Sequence, residues 1–443
     1  MGGEKINHSM KFTEKPMFKM LAVGALAVLL LIPATLVQNL IHERESTQNS
    51  AISQMTSIWG GDQMIVGPYL SIPYLDPYTV TNDDGSQSVS YSRKNLYVLP
   101  EVLEGDVDIV PETRSLGMYE AIVYEGDMSF SGQFILPDYK TLGIQERFLE
   151  WDKATINMGI SDLRGVEGNF EFNWNEQSLQ MSSGLSSNEI YHSGIHAPVE
   201  VSEDQKYIFT IRATLRGSSR FSVVPFGKQT RFSMISPWTE PSFKGSYATA
   251  SYAPSEDGFE ATWEVSHLNR NYPQAWTGRK YSPTNDFFGT EFIRSVDTYS
   301  KTNRVAKYAI LIIALTFMVF YFSELINSSS VNALQYVLIG LALVLFYTLL
   351  LSFSEHLGFN RAYAVAGLMT VVMEFLYAKS VLKSSKLAGY VAGVLTLLYG
   401  FVFVLIQLKD FALLAGSLGL FVILGGIMYI SRNIEWDFES SQE

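Results

Sequence analysis

The chain contains no cysteine in 443 residues. That absence excludes disulfide bridges, thiolate metal sites and thiol nucleophiles. It leaves the compartment open, since many exported domains carry no disulfide. Charge is also scarce. Only 17% of residues are Asp, Glu, Lys or Arg, and the net charge of −12 falls almost wholly in the middle of the chain. A central region without clustered Lys and Arg is not built for nucleic acid and offers no polybasic surface to anionic lipid. Histidine is sparse: His8, His42, His192, His196, His267 and His356. His192 and His196 are four apart in YHSGIH, but Gly194 between them and Pro198 after them argue against a helix that would turn both toward one metal. No Glu lies between them as a zinc protease needs, and neither a GxSxG nucleophile elbow nor a GxxxxGK[ST] phosphate loop occurs. Acidic pairs such as Asp83-Asp84 and Glu203-Asp204 read as exposed turns, and nothing selects a carboxylate dyad for glycoside hydrolysis. The expectation is a protein without metal, cofactor or catalytic site.

What the chain has in quantity is long apolar runs. One lies at residues 18–37, FKMLAVGALAVLLLIPATLV, and five follow at about 308–325, 334–351, 362–378, 387–406 and 411–430. A bilayer core needs about 20 apolar residues per helical span, so six spans are expected, one N-terminal and five C-terminal. The first run is too long for a signal peptide and is followed by QNLIHERE rather than a cleavage site, so it reads as a retained anchor with Pro33 as a potential kink. Lys5, Lys11, Lys15 and Lys19 precede it, and Lys379, Lys383 and Lys386 lie between the fourth and fifth runs. By the bias of Lys and Arg toward cytoplasmic loops, both termini are expected in the cytoplasm, as tails 1–17 and 431–443. Lys301, Arg304 and Lys307, just before the second run, count against that orientation.

Residues 40–58 keep a helical spacing through Ile41, Ile52, Met55 and Ile58 and predict a helical stalk. Beyond it, 59–305 changes to short runs with strand periodicity, such as KYIFTIRATLRG and FEATWEVS, punctuated by NDDG and SEDG turns. Only 140–151 reads as helical. The expected fold class is an α+β membrane protein: a large antiparallel β-sandwich-like extracytoplasmic domain plus a six-helix transmembrane bundle, with the five C-terminal helices at 308–430.

Two sets of residues stand out. Trp59, Gly60, Gly61, Gly67, Pro68, Tyr69 and Tyr74 combine glycines that allow tight reversals with aromatics that can contact a partner or a membrane surface, or simply start the first strand. Glu324, Glu355 and His356 are candidate polar groups of the membrane region. Glu374 reads as a group that snorkels or pairs with Lys379; Gln335, Tyr347 and Tyr399 are weaker candidates. Glycine pairs in the last two runs, Gly389/Gly393 and Gly416/Gly419, predict tight helix packing.

The runs SIWGGDQMIVGPYLSIPY (57–74), LNRNYPQAW (268–276), FFGTEFIRSVDTYSKTNRVAKYAILIIALTFMVFYFSEL (287–325), LQYVLIGLALVLFYTLLLSFSEHLGF (334–359) and LIQLKDFALLAGSLGLFVILGGIMYISRNIEW (405–436) together resemble the CreD family of bacterial inner-membrane cell envelope integrity proteins. RSLGMYEAIVY (114–124) and ISDLRGV (160–166) extend the resemblance. Two places depart from the family's pattern: Lys409 where an acidic residue is expected, and Asn332-Ala333 where a His-Pro pair is expected, which predicts a looser start to the third span. The resemblance implies envelope integrity, colicin tolerance, β-lactam and stress response, and no catalytic residues to carry over. The leading expectation is therefore a non-enzymatic inner-membrane protein partnered by the lipid bilayer, whose periplasmic domain contacts unidentified envelope proteins, with no nucleic-acid partner. The alternatives are a small-molecule transporter or permease accessory with a periplasmic capture domain, and an envelope hydrolase, which would need an aligned carboxylate pair in a deep cleft.

Overall fold

The computed structural model describes residues 16–202, 205–292, 298–327, 331–408 and 411–432. His8, Lys5, Lys11, Lys15, the Glu203-Asp204 pair, Lys409 and both expected tails from 1–15 and 433–443 lie outside the described residues. The chain divides into two compact units, Asn49–Ser295 and the remainder.

The first unit is built of strands β1 (Gln63–Thr81), β2 (Gln87–Val98), β3 (Val102–Leu116), β4 (Tyr119–Ile135), β5 (Thr155–Ile160), β6 (Val166–Trp174), β7 (Gln177–Leu179), β8 (Ser182–Ser183) and β9 (Gly194–Pro198). It continues with β10 (Lys206–Ser218), β11 (Arg220–Val224), β12 (Gln229–Ser236), β13 (Pro241–Gly245), β14 (Ser251–Ser255), β15 (Gly258–Ser266), β16 (Ala275–Thr277) and β17 (Phe288–Phe292). They form two sheets. One runs β13-β17-β11-β1-β5-β9-β8, with β2 joining β1 to β16; the other runs β14-β15-β12-β3-β4-β10-β6-β7.

Most pairings are antiparallel, as alternation suggests, but each sheet holds one parallel pair, β1 with β11 and β12 with β3. Alternation within a strand favours antiparallel neighbours but does not mark the exceptions, so these two pairs are not legible in the sequence. The burial patterns separate the sheets. Along β10 and β3 buried and exposed residues alternate, the mark of one wet face, whereas β5 and the first half of β1 are buried almost continuously. Aromatic rings bridge the sheets: Phe221 of β11 stacks on Phe232 of β12 at 6.2 Å, and Trp263 of β15 stacks on Phe288 of β17 at 5.2 Å. The NDDG and SEDG runs close the β1–β2 and β14–β15 hairpins.

The helix expected at 140–151 is replaced by three single 3₁₀ turns, Tyr139–Leu142, Glu146–Phe148 and Trp151–Lys153. Gly143, at φ 78°, ends the first in a left-handed conformation that stops propagation, and Leu149 is drawn into a bridge with Tyr74.

The second unit is helical: α1 (Pro16–Leu29), α2 (Leu31–Trp59), α3 (Thr298–Lys307), α4 (Ala309–Asn327), α5 (Ala333–Leu357), α6 (Phe359–Val381), α7 (Ser385–Gln407) and α8 (Ala412–Ser431), although the last residues of α2 belong to the sheet unit. Among the described residues five helices, α1 and α2 taken together as one, are long and apolar enough to cross a membrane, and a sixth span results if α3 and α4, bent by 43°, count as one. The α1/α2 boundary at Leu30 lies just ahead of Pro33, whose missing N–H leaves the Leu29 carbonyl without its helical donor. α3 begins inside the stretch assigned to strands because TYSKTNRVAK, though polar, buries Tyr299, Thr302, Val305 and Ala306 along one helical face.

Three further expectations change. Ile41 is fully buried but Ile58 is exposed, so the apolar stripe of the stalk does not run to its end. Gly389 and Gly393 face open space, whereas Gly419 does pack, lying under the Phe401 ring. The start of α5 is not loose: Gln335 reaches back so that its Oε1 accepts the Asn332 N–H at 2.8 Å.

Candidate functional site

The segment from Trp59 to Tyr74 is engaged within the sheet unit. α2 ends where the N–H groups of Gly60 and Gly61 both donate to the Thr56 carbonyl, at 3.1 and 2.9 Å. Gly60 has φ +115°, and a Cβ there would lie 2.8 Å from the Arg216 carbonyl oxygen and 2.9 Å from Gly165 Cα, so no other residue fits. At the strand entry, the Gln63 side chain is sealed from solvent. Its Nε2 lies 2.8, 3.0 and 3.0 Å from the carbonyls of Gly60, Asp162 and Arg216, and its Oε1 accepts the Asp162 N–H at 3.3 Å. One amide thus ties three separate chain segments together. The Trp59 ring lies within 4.6 and 4.7 Å of the Arg114 and Arg216 guanidinium groups, and its N–H donates to the Tyr124 carbonyl at 3.4 Å. Arg216 is held in turn by Glu167 and Glu125.

Gly67-Pro68 is a cis peptide at the bulge that interrupts the β1–β5 register. Tyr69 is buried edge-on against Tyr97 and Phe226, and burial pushes its phenol up from the ordinary value. Tyr97 is raised for the same reason, aided by the Glu189 carboxylate to which it donates at 2.6 Å. Tyr74 is buried.

The run LNRNYPQAW stands out in the sequence only through resemblance, yet it supplies a second buried joint. Arg270 is 7% exposed and donates to the carbonyls of Pro225 and Phe226, each at 3.1 Å, and to Gln274. Gln274 donates onward to the Pro100 carbonyl at 2.7 Å. Tyr272 packs under the guanidinium at 4.6 Å and donates to Pro225.

The solvent face of the second sheet carries an open depression of about 550 Å³ lined by Asp106, Asp108, Asp127, Glu171 and Arg212. Asp108 and Asp127 stand opposite each other across β3 and β4, but both are exposed, and Asp127 accepts from the Thr214 hydroxyl at 2.6 Å. Exposed and hydrated carboxylates on an open face are not the deep cleft a hydrolase requires.

In the helical unit two of the three sequence-flagged polar residues are paired. Glu324, 7% exposed, binds Lys19 and accepts from the Tyr336 hydroxyl at 3.3 Å. Glu355 accepts from the Tyr299 hydroxyl at 2.9 Å and lies 3.9 Å from Arg44. Lys19 and Arg44 are 25 residues apart, roughly 37 Å of helix, so the N-terminal helix is clasped near both ends of a membrane-spanning length. His356 is exposed.

The group that sequence reasoning passes over is Glu374. It neither snorkels nor meets Lys379, which is exposed; Glu374 is 1% exposed and neither carboxyl oxygen has a hydrogen-bond partner among the described residues. It belongs to a buried stripe along α6, Ala362, Ala366, Thr370, Glu374 and Ala378, at every fourth residue. Four small side chains let the neighbouring helices approach, and the fifth is ionisable. That interruption of an i, i+4 small-residue stripe is the available signal.

A family model described as "Inner membrane protein CreD" matches residues 15–437. The chain belongs to the CreD family. A curated relative, "Inner membrane protein CreD" of Escherichia coli (strain K12), is 33% identical over 379 residues, covering 84% of this chain and 82% of its own. Among solved structures, a mutant M1 zinc metallopeptidase from Deinococcus radiodurans aligns with 44% of this CreD-family chain and 42% of its own length, at 8% identity and a TM-score of 0.24. A likeness that small carries nothing about fold or activity. With its apolar helices, this CreD-family member is a multi-pass inner-membrane protein.

Proposed function

We propose that this protein is a non-catalytic scaffold of the inner membrane. Both termini face the cytoplasm, and the two-sheet domain stands in the periplasm, where it contacts envelope proteins and supports envelope integrity under stresses such as colicins and β-lactams. The observation that carries this reading is the CreD match across nearly the whole chain, joined to a sheet unit at Asn49–Ser295 inserted between the first apolar helix and the rest. Lys19 at the start of the first span and Lys379, Lys383 and Lys386 between α6 and α7 support the orientation. Reporter fusions at Asp83 and after Trp436 test it: the first should be active only in the periplasm and the second only in the cytosol. In-cell photocrosslinking from the exposed Tyr78 and Tyr91 should then give discrete adducts with envelope proteins. Cytosolic activity of both fusions would overturn the topology, and a domain that crosslinks to no envelope protein would overturn the scaffold. A second reading, a transporter with a capture domain, draws support from the unpaired Glu374 inside the bundle.

A further inference from the structure

Three helices of the bundle bring buried polar groups together with nothing to bind. Tyr347 of α5, Glu374 of α6 and Tyr399 of α7 are 1%, 1% and 4% exposed. Both Glu374 oxygens and the Tyr347 hydroxyl have no hydrogen-bond partner among the described residues, and the Tyr399 hydroxyl makes only a loose approach to Thr370. Tyr399 is within electrostatic reach of both Glu374 and Tyr347. Leaving such a group unpaired is destabilising, and an ionised carboxylate buried without a partner is more so. Phe at either tyrosine would fill the same space without that penalty.

Among the described residues no cation is placed against the carboxyl. Tyr399 of α7 is within its electrostatic reach, with Tyr347 of α5 in turn within reach of Tyr399; on α6 itself are Tyr363, Thr370 and Tyr377, with Lys379 turned outward. Tyr363 is spent on the Tyr399 carbonyl at 2.8 Å, and Thr370 on the Ala366 carbonyl at 2.9 Å. From α3, Lys301 lies over the Phe359 ring and Arg304 on the end of α7. A carboxyl so placed is tolerated when it carries a proton, and phenolic donors with no strong acceptor of their own are what its ionised form would need.

We propose that α5, α6 and α7 enclose an intramembrane proton-binding site, in which Glu374 takes and releases the proton and the hydroxyls of Tyr347 and Tyr399 turn to hydrogen-bond the carboxylate once the proton has left. The site is independent of the scaffold reading: it stands or falls whichever way the topology and crosslinking experiments come out.

The test is chemical. A hydrophobic carbodiimide such as dicyclohexylcarbodiimide adds only to a protonated carboxyl: the acid proton moves to one nitrogen, the oxygen bonds to the central carbon, and acyl migration leaves a stable N-acylurea. The full-length protein in proteoliposomes is treated from acidic to alkaline pH, and the adduct is mapped by peptide mass spectrometry. Glu374 should be labelled at acidic pH, with labelling falling about tenfold per pH unit once the carboxyl ionises. Glu374→Gln removes the adduct. The double variant Tyr347→Phe/Tyr399→Phe keeps it and extends labelling to more alkaline pH, a change that a purely space-filling role for the rings would not produce. No adduct at Glu374 at any pH, or labelling that does not vary with pH, would overturn the proposal, and an unchanged pH profile in the double variant would overturn the role given to the hydroxyls.

Discussion

Gln63 in the sheet unit and Glu374 in the helical unit are equally hidden from solvent, at 0% and 1% exposure. Their side chains are nearly the same size and shape. One reaches three carbonyls and the other reaches nothing among the described residues. The contrast teaches that burial of a polar residue has two meanings in this protein. In the sheets Gln63, like Arg270, holds together chain segments far apart in sequence. In the bundle the polar groups near the helix ends, Glu324 and Glu355, are paired and brace the N-terminal helix, whereas the one deeper in α6 is left with its bonding capacity unspent.

The comparison can be pressed by substitution. Arg270→Ala strands the Phe226 carbonyl, leaves the Pro225 carbonyl with the Tyr272 hydroxyl alone and removes the ring contact; it should destabilise the sheet unit by about 3 kcal/mol, read as earlier thermal loss of near-ultraviolet aromatic circular dichroism. Gln63→Leu should cost about 2 kcal/mol by the same measurement. Glu374→Leu should do the opposite, leaving the bundle's thermal unfolding in detergent unchanged or raised by about 1 kcal/mol. If Glu374→Leu instead destabilised as much as Gln63→Leu, the distinction between the two sites would collapse. Glu324→Gln, which loses Lys19 but keeps a partner for Tyr336, should cost about 1 kcal/mol because Lys19 is partly solvated. The smallest effect is in pH. The hydrogen-bonded Arg164 guanidinium holds the Asp162 carboxyl below the usual carboxylate range. A depressed folded-state value means that this pair's stabilisation is complete above the unfolded value of the carboxyl and fades as pH falls through the folded one. Wild type should therefore lose more stability than Asp162→Asn on acidification, in parallel thermal melts.

Much of this is legible in the residues. The apolar runs announce the spans because a 20-residue stretch has no soluble alternative, and alternation along β3 and β10 announces one wet face. What is not legible depends on distant partners. The parallel β1–β11 and β3–β12 pairs join strands more than a hundred residues apart, and no local pattern encodes that choice. At the candidate site, WGGDQ is recognisable as distinctive, but its chemistry resides in Gln63, which becomes a hub only once Asp162 and Arg216 arrive beside it. Glu374 misleads because Lys379, five residues on, looks near in sequence but points away on the helix.

Arg304 bears on how such chains are oriented. It donates to the carbonyls of Leu405 and Leu408, each at 3.4 Å, at the C-terminal end of α7, where the helix dipole leaves negative character. Lys301, one turn away, is spent on an aromatic ring. Both side chains keep their charge, yet each has a place in the folded bundle to fill, so a tally that weighs every Lys and Arg alike counts as topological signal cations that the fold also uses as helix caps and ring contacts.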